Sequence, residues 1–531
     1  MLRVFALRPV RVLLAALVAA SGLAGCLFAD PADEGAPGPG ESLARVACMD
    51  ALCNFVATVD PEGRQANELS VAVNPTNPLN IIATGKDYTP EEAGDCVWAG
   101  VYTTHDGGKT WKNQNVPGSP WKRLNDPTTP VTPFSKYWCA TDPVVAFGPD
   151  GTAYWTVMPY QCDRASGSKL GRDVHPDGGF NDWLWTCSSM FVLVSTDGGD
   201  TWPVDRAREV ASGARLVHDK QWIAVSPDGG KVLLCWDYAN PIEQTAPAPL
   251  PAPLPPVDDP AGATRETAVV CSVSTDKGDT WSPMATATDV GGFPWIDFDA
   301  TGRAWMALQS GFYEGRIWVL SSDDGLSWSE PVAIANFTNG PARNEYGWPT
   351  FNGSSFRLVP YGALAIDRSD GPFGGSIYVT YMSFEEGSGN VYVTSSRDGV
   401  SWTAPTRATD DGASPNDQFM PVVSVGPDGT VDLSWLDRRD DPDNHLYTAY
   451  YAYSLDGGAT FSPNLRVGEA MSDEQYSHHQ NGMVFLGDYR DADSIAGRST
   501  MVWVDTSREK ADVMVATVER PGANGPADAS S

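Results

Sequence analysis

Side chains that can transfer protons or bind charged groups stand at two repeated positions in this chain. Each repeated unit begins with two short apolar runs; some of these side chains stand just before the first run and others just after the second. The candidates are Asp142, Asp219, Lys220, Asp437, Arg438, Arg439, Tyr489 and Arg490. Carboxyl groups can act as general acids and bases, and an arginine fork binds a carboxylate through two hydrogen bonds. The alternative is that these residues cap strand ends and join neighbouring units.

Similar polar residues recur along the chain as Asn67-Glu68, Lys86-Asp87 and Trp236-Asp237. Because structural repeats recur whereas catalytic groups usually do not, we expect the departures from the repeat to be the functional residues. Trp222 and Trp295 offer rings on which a sugar can stack, or they belong to the core.

The acidic run Asp440–Asn444 contains clustered oxygen ligands suited to Ca²⁺, with Asp441 and Asp443 as the candidates. A solvated acidic turn is the alternative. His478 and His479 are adjacent, so on a strand they point apart and suit a single metal ion poorly. No phosphate-binding loop, dinucleotide motif or nucleophile elbow stands in a supporting context in the sequence. We therefore expect that the protein requires no cofactor, although it could bind Ca²⁺.

The elements that carry these residues are short strands. Apolar runs such as Val232–Trp236 alternate with Pro-Asp-Gly turns, and no long stretch has helical periodicity. The chain therefore predicts an all-β fold.

One motif, Ser/Thr-x-Asp-x-Gly-x-x-Trp, occurs six times. The copies are Thr104–Trp111, Ser195–Trp202, Ser274–Trp281, Ser321–Trp328, the shorter Ser396–Trp402, and Ser454–Phe461, in which Phe replaces Trp. Their acids are Asp106, Asp197, Asp276, Asp323, Asp398 and Asp456. The acid accepts backbone N–H groups of a tight turn, glycine supplies a positive φ, and the aromatic ring packs on the sheet. Six copies indicate an internal repeat.

This motif resembles the Asp-box, or bacterial neuraminidase, repeat of sialidase-like β-propellers. The resemblance implies a ring of four-stranded blades, with the boxes on one face and the candidate residues at the channel mouth on the other. We count seven blades, the last completed by the segment 54–60 pairing with Val513–Val518. Six blades is the alternative.

A sialidase binds its substrate's carboxylate with three arginines and uses a Tyr–Glu pair as nucleophile with an Asp as acid/base. This chain lacks the family's Arg-Ile-Pro tripeptide. The three arginines therefore cannot be assigned residue by residue; Arg438, Arg439 and Arg490 can serve by position, with Tyr489 as phenolate. We predict a propeller that binds or processes glycans, with an exo-sialidase and a non-enzymatic scaffold for protein contacts as alternatives.

The chain start has the features of an export signal. Arg3, Arg8 and Arg11 precede an apolar stretch, Val12–Ala20, and Leu23–Cys26 resembles a lipobox, which implies lipidation of Cys26. An ordinary signal peptide is the alternative. We assign 1–25 to the signal, 26–47 to a tether, 48–519 to the propeller with insertions at 159–188 and 239–264, and 520–531 to a disordered tail. The expected location is the outer face of a prokaryotic membrane, with contact only through the lipid.

Eight further cysteines fit an oxidising compartment. Pairing neighbours in sequence gives Cys48–Cys53, Cys96–Cys139, Cys162–Cys187 and Cys235–Cys271, although the sequence does not fix the connectivity. The 67 acidic residues against 36 basic ones argue against nucleic acid as a partner. A glycan or another small polar ligand and a monomeric state are expected.

Overall fold

Seven antiparallel sheets, arranged as the blades of a β-propeller, form the body of the protein. The computed structural model describes residues 41–43, 47–49, 52–56, 65–88, 97–119, 127–160, 188–213, 217–241, 265–412, 414–480, 483–495 and 497–520, all within one unit, Pro39–Ser531. The predicted all-β, seven-bladed fold is confirmed. Only three short 3-10 helices interrupt the strands in the described part: Pro133–Lys136, Val204–Arg206 and Glu474–Tyr476.

The N-terminal strands are β1 Glu41–Leu43, β2 Ala47–Met49 and β3 Leu52–Val56. Blade 1 comprises β4 Gln65–Val73, β5 Ile81–Tyr88, β6 Trp98–Thr104 and β7 Thr110–Asn115. Blade 2 comprises β8 Cys139–Phe147, β9 Ala153–Tyr160, β10 Ser188–Ser195 and β11 Arg208–Gly213. Blade 3 comprises β12 Val217–Val225, β13 Val232–Pro241, β14 Arg265–Ser274 and β15 Ala285–Thr288.

Blade 4 comprises β16 Gly292–Phe298, β17 Ala304–Ser310, β18 Glu314–Ser322 and β19 Val332–Thr338, followed by the hairpin β20 Ala342–Arg343 and β21 Pro349–Thr350. Blade 5 comprises β22 Ala363–Ile366, β23 Ile377–Glu385, β24 Ser388–Ser396 and β25 Thr406–Arg407. Blade 6 comprises β26 Gln418–Val425, β27 Val431–Asp437, β28 Thr448–Ser454 and β29 Leu465–Arg466. After the hairpin β30 His478–Gln480 and β31 Met483–Phe485, blade 7 comprises β32 Ala492–Ile495, β33 Arg498–Asp505 and β34 Asp512–Glu519.

The first strand of each blade lines the centre of the ring. β4, β8, β12, β16, β22, β26 and β32 contact one another in this order, and β32 contacts β4. The second strands are almost entirely buried, as in Val232–Trp236, because each blade packs between two neighbours. The starts of the first strands and the ends of the second strands therefore share one face.

The ring closes with strands from both ends of the chain. β3 pairs with β34, with Leu52 opposite Val518 and Val56 opposite Met514. The pairing was predicted for 54–60, and the observed strand begins two residues earlier. β1 pairs with β7, although the sequence analysis assigned its residues to the tether. A ring closed in this way gives blade 7 the strand that the C-terminal segment lacks and covers the edge of β34.

The six copies of the Ser/Thr-x-Asp motif, called boxes below, occupy the turns between the third and fourth strands. In the first, Asp106 accepts hydrogen bonds from the Thr110 N–H and hydroxyl, at 2.9 and 2.7 Å. The fourth box is shifted by one residue from the predicted register. Asp324, not Asp323, accepts from Ser322 Oγ and from the N–H groups of Leu326 and Ser327. The box thus has the short form of Ser396–Trp402, while Asp323 pairs with Arg303 at 2.7 Å.

This correction can be tested with two adjacent carboxylates. We expect Asp324→Asn to lower the free energy of unfolding by about 1 kcal/mol, because the turn loses charge-assisted hydrogen bonds to two backbone N–H groups. Asp323→Asn removes only an exposed ion pair and should change stability by less than about 0.5 kcal/mol. Thermal denaturation of both variants measures the difference, and a larger loss in Asp323→Asn would restore the predicted register.

One predicted disulfide is described in full. Cys235 and Cys271 stand opposite each other on β13 and β14, with Cα atoms 4.1 Å apart, and are bonded. Cys139 is also disulfide-bonded, but its predicted partner Cys96 lies outside the described residues. Cys48 and Cys53 face each other in the β2–β3 hairpin, where only the backbone is described. Cys26, Cys162 and Cys187 lie outside the described residues.

Within the described ranges, no helix has the length and apolar character needed to cross a bilayer.

Candidate functional site

Five first strands carry a β-bulge at the same point, close to the channel mouth. Each bulge holds a non-glycine residue with positive φ: Glu68, Asp142, Lys220, Phe293 and Met420. A bulge redirects a side chain out of the regular alternation of the strand. The charged members of this set, Glu68, Asp142 and Lys220, come from blades 1, 2 and 3 and interact with one another at the channel mouth.

Glu68 and Asp142 form a carboxyl pair held by a lysine. Their carboxyl groups share a hydrogen bond, and Lys86 Nζ lies 3.3 Å from Glu68 Oε2. Burial raises the pKa of Glu68 well above its usual value, and the charge of Asp142 adds to this. Burial also opposes ionisation of Asp142, but Lys86 and the hydrogen bonds from Glu68 and Thr141 hold its pKa below the usual value. At neutral pH, Asp142 is therefore ionised, whereas burial and the charge of Asp142 oppose ionisation of Glu68.

Asp219 and Asp237 form a second pair with access to solvent. They stand opposite each other on β12 and β13, with the Asp219 side chain exposed and Asp237 partly exposed. Loss of hydration to the surrounding protein raises the pKa of Asp219 well above its usual value, and the charges of Asp142 and Asp237 raise it further. Burial raises the pKa of Asp237 to about 7, against the hydrogen bond from the Phe293 N–H and the charge of Lys220.

Asp237 is fixed by the backbone of the next blade. Both of its carboxylate oxygens accept from the Phe293 N–H, at 3.1 and 3.0 Å. A Cβ atom at Gly292 would lie 2.9 Å from Asp237 Oδ2, so this close approach requires glycine. Asp237 thus joins blade 3 to blade 4 while one side of its carboxyl group remains open to solvent.

Lys220 is 4% exposed and lies over aromatic rings rather than beside a single acid. Its Nζ is 3.9 Å from the centroid of Tyr489 and 4.6 Å from that of Trp222. Among the described residues, Nζ of Lys220 has no hydrogen-bond partner. Burial lowers the pKa of Lys220 to about 8, although the charges of Asp142 and Asp237 favour the ammonium form.

Aromatic rings close the channel beneath these polar groups. Trp222 stacks on Trp295 with centroids 3.6 Å apart, and Trp295 stacks on Tyr361 at 5.7 Å. Trp222 and Trp295 are only 5% and 4% exposed, so the structure places them in the core, the alternative that the sequence left open.

A further cation at the site, Arg357, was not predicted. It lies in the segment between blades 4 and 5, and its Nε donates to Asp488 Oδ1 at 2.7 Å. Its guanidinium lies 4.7 Å from the Phe485 ring and 5.5 Å from the Trp348 ring. No repeat marks this segment, and the two ion-pair partners are 131 residues apart in sequence, so local spacing gave no signal.

Four predicted site residues lie away from this cluster, within ion pairs and blade contacts. Arg438 is fully buried and donates to Glu474 Oε2 at 2.8 Å. Arg439 pairs with Asp437 at 2.8 Å and with Asp410 at 2.6 Å. Arg490 donates to the Val502 carbonyl at 3.1 Å and to Ser434 Oγ at 2.6 Å. These contacts join strands and blades.

Tyr489 does lie in the cluster, but it is 1% exposed. Burial raises the pKa of its hydroxyl well above the usual value, and the neighbouring carboxylates raise it further. The hydroxyl donates to the Pro143 carbonyl at 3.4 Å. These surroundings favour the neutral phenol over a phenolate.

Asp441, one of the two candidate calcium ligands, accepts hydrogen bonds from the backbone of a turn. Asp441 accepts from the N–H groups of Asp443, His445 and Leu446, at 3.1, 2.8 and 2.7 Å. In the described ranges no group of three or more His, Cys, Asp or Glu side chains is arranged to hold a metal ion, and calcium binding by Asp441 and Asp443 stays a prediction. His478 stacks on Tyr88 at 3.4 Å, and His479 is exposed.

Comparison with known proteins gives distant structural likenesses. No protein-family model matches the sequence, and no curated protein matches it. A Hadza microbial sialidase is 12% identical, with a TM-score of 0.42 over 82% of this chain and 76% of that one. The GH93 α-L-arabinofuranosidase of Fusarium graminearum is 13% identical, with a TM-score of 0.43 over 87% and 96%. A NanB sialidase variant from Streptococcus pneumoniae is 8% identical, with a TM-score of 0.41 over 90% and 98%. At these values we draw no conclusion about activity from the likeness.

Proposed function

We propose that this protein processes glycans by acid–base chemistry at the channel mouth opposite the Asp boxes. The observation that carries the proposal is the separation of protonation states among neighbouring carboxyl groups. Asp142 is ionised, whereas Glu68, Asp219 and Asp237 have raised pKa values. Paired carboxyl groups with different protonation states are the usual requirement for glycosidic bond cleavage.

The roles follow from access and charge. Asp237 is the proton donor, because it is open to solvent and its pKa of about 7 keeps a proton available near neutral pH. Asp142 is the permanent carboxylate that stabilises the positive charge developing on the sugar ring. Asp219 donates a hydrogen bond to Asp142 and so fixes the orientation of that carboxylate. Lys220 and Arg357 are positioned to bind substrate oxygens.

A sialidase mechanism based on Tyr489 has less support from the geometry. Of the three arginines expected to bind the substrate carboxylate, Arg438 and Arg439 pair with acids, and Arg490 is buried and donates to a carbonyl and a hydroxyl. The surroundings of Tyr489 favour its neutral form. We therefore favour a mechanism in which carboxyl groups alone transfer the proton and stabilise charge.

The test is turnover of aryl sialosides, neutral aryl glycosides and arabinofuranosides by the mature protein. We expect Asp237→Asn to reduce kcat by about a hundredfold to ten-thousandfold without unfolding, because Asn still accepts from the Phe293 N–H but cannot donate a carboxylic proton. The kcat of the wild type should fall as the pH rises above about 7, where Asp237 loses its proton.

Asp443→Asn is the matched control, since it neutralises an exposed acid away from the cluster. Full activity of Asp237→Asn would contradict the assigned proton donor. Wild-type protein that turns over none of the substrates and binds nothing on a glycan array would favour the scaffold function.

We also propose that the protein is exported and anchored through a lipid on Cys26. The chain start, with its basic residues, apolar stretch and Leu-Ala-Gly-Cys ending, supports this. The Cys235–Cys271 disulfide supports an oxidising compartment.

A further inference from the structure

Three half-buried aromatic rings form a continuous row beside the proposed proton donor. Phe293 and Phe312 make an edge-to-face contact with centroids 6.1 Å apart, and Phe312 makes another with Trp348 at 5.3 Å. We call Phe293, Phe312 and Trp348 the aromatic row. It lies outside the set of residues assigned to acid–base chemistry.

The row is connected to the charged groups at both of its ends. At one end, the N–H of Phe293 donates to the carboxylate of Asp237 at 3.0 Å. At the other end, Trp348 lies 5.5 Å from the guanidinium of Arg357, which pairs with Asp488. A ligand in contact with Asp237 and Arg357 therefore also meets the rings.

The backbone holds the row in place. The N–H of Trp348 donates to Asn344 Oδ1 at 3.0 Å, and the hydroxyl of Tyr313 donates to the carbonyl of Gly347. The carbonyl of Phe312 accepts from Asn339 Nδ2 at 2.8 Å. A pre-positioned surface loses little conformational entropy when a ligand binds.

The surface of the row combines apolar and polar character. The three rings remain partly exposed, whereas the Trp222 and Trp295 rings below the cluster are buried. The indole N–H of Trp348 donates to no described residue, so it is available to a ligand hydroxyl. An aromatic ring with a free donor suits a ligand that is apolar on one side and polar on its edge.

We propose that the aromatic row is a subsite for a neutral sugar unit of an oligosaccharide, next to the bond that Asp237 would protonate. The ring faces stack on the C–H face of the sugar, and the indole N–H and Arg357 bind its hydroxyl groups. Since the row is longer than one ring, it favours oligosaccharides over monosaccharides. This inference rests on the proposed function, because it takes its orientation from Asp237.

The experiment measures binding separately from turnover. Titration calorimetry with xylotetraose, cellotetraose, arabinotetraose and maltotetraose is carried out on Asp237→Asn, which prevents hydrolysis during the measurement. For the tetrasaccharide bound best, we expect Trp348→Ala and Phe312→Ala, each added to Asp237→Asn, to weaken binding by about tenfold, the loss of one stacking contact.

Two further variants keep the result interpretable. Trp348→Phe retains a ring and should keep most of the affinity even if Trp348→Ala unfolds. Tyr476→Ala removes an exposed aromatic ring outside the row and should bind as its parent does. Circular dichroism and melting temperatures of all variants establish that the fold is retained.

The outcomes separate this inference from the proposed function. Row-dependent binding by a wild-type protein that cleaves nothing would support the subsite and contradict the proposed catalysis. An active wild-type enzyme whose Trp348→Ala and Phe312→Ala variants bind tetrasaccharides unchanged would overturn the subsite alone. Absence of any tetrasaccharide binding by folded protein would also overturn it.

Discussion

Arg438→Met should lower the free energy of unfolding by about 3 to 5 kcal/mol, the usual cost of removing one partner from a buried ion pair. Arg438 is fully buried, and Glu474, at 1% exposed, would keep a carboxylate without its counter-charge. Methionine suits the remaining surroundings, because the rings of Phe351 and Phe419 lie 5.3 and 5.5 Å from the guanidinium. Urea denaturation with a refolding control measures the change.

The double variant Arg438→Met, Glu474→Gln should recover much of this loss, since both charges are then absent. Arg439→Met should cost less, because Arg439 and Asp410 are partly exposed. If Arg438→Met instead keeps wild-type stability and loses turnover, the prediction from sequence that Arg438 binds substrate is right and its structural role is wrong.

The second large effect is a fall in stability between about pH 4 and pH 7. Asp491 joins blade 7 to blade 1 by accepting from Ser70 Oγ at 2.9 Å and from the Val71 N–H at 3.3 Å. Burial raises its pKa to about 7, against these hydrogen bonds. The pKa of a carboxyl group in an unfolded chain is about 3.9, so between these values the native protein binds more protons than the unfolded chain.

The stabilisation of the native state by the proton on Asp491 is therefore complete below about pH 4 and is lost as the pH rises through about 7. A shift of three pKa units corresponds to about 4 kcal/mol. Asp493, which accepts from the Val73 N–H at 2.8 Å, acts in the same direction with a pKa of about 6. The Asp-box carboxylates, such as Asp398, have lowered pKa values and act only at lower pH.

Asp491→Asn should flatten this dependence, because the amide oxygen still accepts both hydrogen bonds and carries no charge. We expect the variant to resist urea better than the wild type at pH 8 and about equally at pH 4. Asp443→Asn, an exposed acid, should retain the wild-type slope. An equal slope in Asp491→Asn would show that other groups control the pH dependence.

Part of the site chosen from sequence lies in one cluster, and the roles of its residues stay predictions. Asp142, Asp219, Lys220 and Tyr489 do lie together. The expectation that recurring residues are structural did not identify Glu68, Lys86 and Asp237, which complete the cluster. These positions recur because each blade places a side chain at the channel mouth, either from the bulge of its first strand or from the end of its second strand. Side chains of different chemical type from neighbouring blades meet there.

The sequence by itself determined the repeat and the all-β fold, because turn chemistry and strand pairing are local. It favoured seven blades over six and the Cys235–Cys271 bridge over other pairings, and the structure decided both. Only the tertiary structure decided which charges are free and which are paired. Arg357, from the segment between blades 4 and 5, meets Asp488, which precedes blade 7. Asp491 reaches Ser70 at a separation of 421 residues, because the ring brings its first and last blades together. Burial and neighbouring charge then set each pKa, and neither can be read from the spacing of residues along the chain.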